Sequence, residues 1–327
     1  MDNHPVSANS VGGYFHVNGS NLSQQYKNHL SGFKQWEQLD HAEEWILFSK
    51  NIGTRLCLDE VALSDGELYT VLTNAKSKCQ KGSLIAMVKG VKSDVVSKIL
   101  VQIPEQQRKE VKEISVDMAN SMEKIARDSF PNAQVVTDRF HVAQLISDAV
   151  QEIRIRHRWE AIDKENKAIA KAKKNGKKYI APTFENGDSH KQLLARSRYL
   201  LFKTQSKWRE SQRKRSEILF REYPDLKEAY QLSMMFRNIY ETSKTKAEAQ
   251  ERFSAWQKKI GEKKFPSFLT AAESIDNHKE TILNFFVNRT TNALAEAFNS
   301  KLKAFRSVFR GVTDVDFFLY RVSLIFA

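Results

Sequence analysis

Between Thr54 and Asp148 the chain alternates short apolar runs with turn and helix signals, and beyond that point strand signals all but stop. That order limits the fold more than any bulk property does. "TRLCLDEVAL", "ELYTVLTNA" and "GSLIAMVKGV" read as strands. The "SDG" between the first two supplies Asp65 and Gly66, residue types that accept the positive φ of a tight hairpin turn. "SDVVSKILVQIP" opens on the N-cap candidates Ser93 and Asp94 and closes at Pro104, as a helix crossing a sheet would. "KEISVDM" and "AQVVTDRF" add two short strands, separated by the helix "NSMEKIARDSF" and a turn at Pro131-Asn132. The predicted order is β-β-β-α-β-α-β.

Three antiparallel strands followed by helix-linked strands point to an α/β fold of the ribonuclease-H-like kind, a mixed sheet flanked by helices. In that sheet the first and fourth strands are neighbours, so acidic residues on them come side by side. Asp59 and Asp117 fall on those strands, and a third carboxylate, Glu296, rides a late helix in "TNALAEAFNSKLK". Acidic oxygens delivered to one point suit Mg²⁺ or Mn²⁺. A pair of such ions activates an attacking water and stabilises the leaving oxygen of a phosphodiester. Asp138 also follows an apolar strand and competes with Asp117 for the second position. Asp117 is preferred because its strand is the one expected beside the first. Asp138 and His141 in "TDRFH" are otherwise candidates to orient the ligands or contact DNA. The plainer alternatives are an N-cap for Asp138 and a structural hydrogen bond for His141.

The remaining segments differ in character. Residues 1–53 divide into a loosely held arm rich in Asn, Ser and Gly and a leading amphipathic helix from Tyr26 to Ile52, whose apolar positions recur every three residues before Gly53. Residues 54–145 hold the first part of the sheet domain. Residues 146–284 are charged and helical, and read as an all-α insertion, with "KAIAKAKKNGKKY" a basic helix end and "PTFENGDSH" an exposed loop. Residues 285–327 close the core with a two-faced helix. Leu294, Phe298, Leu302, Phe305 and Phe309 form its apolar stripe, and Asn292, Glu296, Asn299, Lys303 and Arg306 its polar one.

Charge narrows the partner. The 327 residues carry 52 Lys plus Arg against 39 Asp plus Glu, a net charge of +13, which suits a polyanion such as DNA. Lys301, Lys303, Arg306 and Arg310 are candidate phosphate contacts beside the carboxylates, with Asn292 and Asn299 positioned to orient Glu296 or touch phosphate. The run from Lys167 to Lys178 reads as a solvated face or a second contact. Trp159, Trp208 and Trp256 read as insertion core, with base stacking the sharper alternative. Cys57 and Cys79 are the only cysteines, which excludes a disulfide scaffold or a zinc module. The absence of a signal sequence and of a long apolar run predicts a soluble cytosolic protein without a membrane span.

Four segments, "LCLDEVALSDGELYTVLTN", "VKEISVDMANSMEKIARDSFPNAQVVTDRFHV", "LLARSRYLLFK" and "TTNALAEAFNSKLKAFRSVFRG", resemble DDE-type insertion-sequence transposases of the ISL-three family. The resemblance implies that Asp59, Asp117 and Glu296 are the catalytic and metal-binding triad, with two Mg²⁺ or Mn²⁺ as cofactor. It implies an α-helical insertion before the last catalytic residue. It also implies cleavage of double-stranded DNA at the element's ends, transfer to a target, assembly as a homodimer or larger, and residence in the bacterial cytosol. Family members often begin with a zinc-binding segment and a helix-turn-helix, which do not precede Asp59 here, so end recognition is expected from a separate polypeptide or the copy is a shortened relic. Two rival readings stand beside transposition: a nuclease that cuts without joining, and a DNA-binding protein with idle carboxylates.

Overall fold

The computed structural model describes residues 1–63, 66–290, 292–309 and 314–327. The chain divides into two compact units, residues 1–139 with 288–327, and residues 140–287.

The first unit is built on a six-stranded mixed sheet of order β1-β4-β3-β2-β5-β6. Its strands are β1 (Trp45–Leu47), β2 (Arg55–Ala62), β3 (Leu68–Asn74), β4 (Leu84–Lys89), β5 (Glu113–Val116) and β6 (Gln134–Thr137). β2, β3 and β4 form an antiparallel meander, and β5 and β6 continue from β2 in parallel. The first and fourth expected strands are thus neighbours, and the chain has the ribonuclease-H-like α/β sheet. Leu63 N–H donates to Glu67 O across the β2–β3 turn, where Gly66 has φ +83° and Asp65 lies outside the described residues.

Helices cover both faces of the sheet. Preceding it are α1 (Ala8–Phe15) and α2 (Gly19–Gln25). Then come α3 (Ser93–Leu100), α4 (Glu105–Lys109) and α5 (Asn120–Ser129). Leu56 and Leu58 point from β2 into a core with Val96 and Ile99 of α3 and Met122 and Ile125 of α5. Lys92 rather than Ser93 holds the N-cap position of α3.

Two expectations about the unit's ends fail. The segment from Tyr26 to Ile52 is no single helix: it runs through a π-turn (Tyr26–Leu30), 3₁₀ turns at Phe33–Gln35, Leu39–His41 and Ser49–Asn51, and strand β1. A strict repeat of three matches the 3₁₀ period, and on an α-helix it drifts off one face. Gly53 stops no helix. A Cβ there would fall 2.7 Å from the Asn74 side chain, whose amide bonds Asn51 O.

The second unit is all-helical among the described residues. It comprises α6 (Arg139–Lys174, whose first residue belongs to the first unit), α7 (His190–Arg196), α8 (Glu210–Glu222), α9 (Pro224–Thr242), α10 (Lys246–Lys263), α11 (Pro266–Asn277) and α12 (Lys279–Asn288, ending in the first unit). Phe236, Tyr240, Phe253 and Trp256 pack its centre, and the Trp256 indole donates to Leu232 O. Trp208 is buried too, donating to Leu200 O, whereas Trp159 is 61% exposed. Asp188, expected in an exposed loop, is fully buried. It accepts from Arg196 and Arg215, which bring the segment from 184 to 188 onto the helices.

The chain closes with two helices instead of the one expected, α13 (Ala293–Val308) and α14 (Val315–Phe326). Phe298, Leu302 and Phe305 of α13 and Phe318 and Val322 of α14 pack with Val61, Val71 and Met87 on the second face of the sheet.

Candidate active site

Period-two alternation decides what β2 presents. Leu56 and Leu58 face α3 and α5, so Cys57, Asp59 and Val61 face α13. Leu58 pairs with Val116 and Val116 with Thr137, so the next residues of the three parallel strands, Asp59, Asp117 and Asp138, stand level in a row. Neighbouring strands lie about 4.8 Å apart, which makes Asp117 the immediate neighbour of both other carboxylates and places Asp138 two strands from Asp59. Asp59, inside β2 just past the end of its parallel pairing with β5, and Asp117, just past the end of β5, each accept at Oδ1 from the N–H of the following residue, Glu60 and Met118 respectively. Asp138, 2% exposed, precedes the first residue of α6.

α13 crosses this row and is tied down along its first turns. Asn292 N–H donates to Asp138 Oδ1 at 3.2 Å. The Cys79 thiol donates to Leu294 O at 3.1 Å. Asn299 Nδ2 donates to Asp59 Oδ2 at 2.9 Å and to Glu60 O at 3.2 Å. Glu296 lies one helical turn from Asn292, whose backbone meets Asp138, and one from Asn299, whose side chain meets Asp59. Its side chain is exposed. Among the described residues no three His, Cys, Asp or Glu side chains form a ready-made metal-ligating group. The carboxylates come to one end of the sheet without closing into such a group.

The electrostatics report crowded negative charge. Burial and the Asp117 carboxylate push the Glu60 carboxyl above its ordinary range. Burial, together with Asp138 and Asp59, pushes the Cys57 thiol up to about 12, keeping it protonated under the site.

The structure sorts the remaining candidates. Asn292 is buried, and its side-chain amide has no hydrogen-bond partner among the described residues. His141 is half-buried near the start of α6, edge-on to Phe140. Lys301 is exposed, with its ammonium bonded to Cys79 O at 2.9 Å, and Lys303 is exposed. Arg306, expected at phosphates, is instead buried. It makes a two-pronged pair with Glu67 (3.0 and 2.8 Å), with its guanidinium over the Phe318 ring. Its position on the amphipathic wheel is polar, but α14 packs there and turns it inward. Arg310 lies outside the described residues.

One residue went unnoticed in the sequence. Glu113, 2% exposed at the start of β5, accepts from Asn288 Nδ2 at 2.8 Å and from the Thr290 hydroxyl, fixing the segment that leads into α13. A Glu opening a buried strand, where an apolar residue is usual, was the available signal.

A family model described as transposase matches residues 56–322. No curated protein and no solved structure matches the chain. The matched stretch begins within the strand that carries Asp59 and runs past the helix that carries Glu296, and the chain belongs to the DDE transposase family of the ISL-three type.

Proposed function

We propose that this chain cuts double-stranded DNA at the ends of an insertion sequence and joins those ends to a target, using Asp59, Asp117 and Glu296 to hold divalent cations. The observation that carries the reading is the parallel β2–β5 register, which stands Asp59 beside Asp117, together with α13 bonded to Asp59 through Asn299 one turn beyond Glu296. Carboxylate oxygens are the hard donors that Mg²⁺ and Mn²⁺ select, so the donor set fits the ions by chemistry. When bound, a pair of such ions would supply Lewis acidity to the phosphodiester and lower the pKa of a water.

The chain's own residues have separate tasks. Asn299 fixes the rotamer of Asp59 by occupying Oδ2. Asp138 holds the first turn of α13 through the Asn292 N–H and so sets where Glu296 begins its reach. Lys303, two turns beyond Glu296 on the same helix face and exposed, would meet the charge of a phosphate backbone, while Lys301 is tied to Cys79 O. A freed 3′-hydroxyl occupies the position vacated by the attacking water, so one site serves cutting and joining without a covalent protein intermediate. Bringing two ends together calls for at least two copies.

A cleavage assay on duplexes bearing the element's ends tests the proposal, with wild type and Glu296→Gln compared in Mg²⁺ and in Mn²⁺. Cleavage by wild type and its loss in Glu296→Gln is expected. Equal cleavage by both would remove Glu296 from the site. Pre-cut ends then test joining: cleavage without a joined product would leave a nuclease, and DNA affinity without metal-dependent cleavage would leave a binding protein with idle carboxylates.

A further inference from the structure

The 36-residue helix α6 has an apolar stripe that its own unit does not cover. In its second half the packed face runs through Arg154, His157, Ala161, Glu165 and Ala168, all buried or half-buried. A second stripe, Ile155, Trp159, Ile162, Asn166 and Ile169, repeats at spacings of four and three and lies about 120° around the helix from the first. Ile155 and Ile169 are each 41% exposed and Trp159 is 61% exposed. A run of this kind, spaced like the seam of a two-helix coil and centred on an open tryptophan, marks an interaction surface.

The charges beside the stripe identify its occupant. Arg156 and Arg158 precede Trp159 and Asp163 follows it, all exposed beside the seam, and Glu165 stands where the seam's edge meets the packed face. A parallel pairing of two such helices would set like charges level with each other. An antiparallel pairing about a twofold axis between residues 160 and 161 sets Trp159 on Ile162 of the partner subunit and Ile155 beside Asn166 of the partner subunit. The same axis sets Arg156 against Asp163 of the partner subunit and Arg158 against Glu165 of the partner subunit. A twofold repeats every contact, as a self-complementary surface requires. Within the chain Arg156 also reaches Asp225 at 3.2 Å and Glu165 holds Lys191 at 2.8 Å, whereas Arg158 and Asp163 have no ion-pair partner among the described residues. Each intersubunit bridge therefore engages one charge that its own chain leaves open.

We infer that the outer face of α6 between Ile155 and Ile169 binds a second copy of this chain, antiparallel, with Trp159 at the centre of the contact. The inference stands apart from the reaction, and its test uses no catalytic readout. Sedimentation equilibrium of the whole chain without DNA is expected to show a dimer. Trp159→Ala removes an exposed side chain and should leave the fold intact while raising the dimer dissociation constant by about tenfold or more. Arg156→Glu with Arg158→Glu, and separately Asp163→Lys with Glu165→Lys, should each give monomers, since both pairings become repulsive. Mixing the two double variants should restore a heterodimer.

Orientation is read separately from a single spin label attached through Lys171→Cys. At 1.5 Å per residue the two labels of an antiparallel dimer centred at 160–161 are about 30 Å apart along the axis. A parallel dimer would bring them within about 10 Å, the spacing of packed helices. A chain monomeric at every concentration, a dimer indifferent to Trp159→Ala, double variants that do not rescue each other, or the short label distance would each overturn the proposal. A monomer whose DNA affinity falls with Trp159→Ala would assign the face to nucleic acid instead.

Discussion

Arg306 has the charge and helix position of a phosphate contact, yet its guanidinium lies between Glu67 and the Phe318 ring with 9% of its side chain exposed. Removing one partner of such a pair strands the other charge in the interior. Arg306→Ala should therefore cost about 3 kcal/mol of unfolding free energy, measured by denaturant titration. It should leave the salt dependence of DNA binding unchanged. Lys303→Ala should do the opposite, keeping stability and lowering the log-log salt slope by about 0.9 if the side chain meets a duplex phosphate. Glu60 gives a second prediction at this scale. Its folded pKa is raised, by burial first and then by Asp117, so the folded state prefers it protonated and its charged form destabilises the fold as pH rises through that value. Metal-free Glu60→Gln should melt above wild type at pH 7, with the gap narrowing as the pH is lowered. A gap that widens in acid would contradict the assigned cause.

Single elements are held by single buried side chains here. α13 is fixed over the strand ends by Asp138, Asp59 and Cys79, and the segment leading into it by Glu113. In the helical unit Asp188 plays the same part, joining α7 to α8 through Arg196 and Arg215. Burial alone would raise its pKa, but the hydrogen bonds and charges of Arg215 and Arg196 hold it below the ordinary carboxylate range. A depressed folded pKa means that the stabilisation is complete above the unfolded value and is lost as pH falls through the folded one. Asp188→Asn should thus lower stability by about 2 kcal/mol at neutral pH. The difference from wild type should close only below about pH 4. Thermal melts across that range decide it, and a difference unchanged at pH 3 would argue against an ionic role.

At the scale of the whole molecule, Asp59, Asp117 and Asp138 stand in a row with Glu60 beside them, and on the proposed reading a divalent cation held there stabilises the first unit. A divalent ion held at about one hundred times its dissociation constant should add about 2.7 kcal/mol to the fold. Calorimetry with Mg²⁺ or Mn²⁺ should show that gain in wild type and its absence in Asp59→Ala. No described helix is long and apolar enough to cross a membrane.

The three-strand meander, the two helix-linked strands after it and the place of the Asp117 strand beside the Asp59 strand were legible in the sequence, because alternation and turn signals within a few residues mark the strands and their order matches a known sheet. The ladder beside Asp117 then followed from chain order. Contacts between distant segments were not legible. The pairing of Arg306 with Glu67 spans 239 residues, and that of Asn299 with Asp59 spans 240. The burial of Asp188 and the splitting of residues 26–52 into tight turns and an edge strand likewise depend on what packs against them. A side chain's polarity is written in its own residue, but its exposure belongs to its neighbours, and those are chosen only when the chain closes on itself.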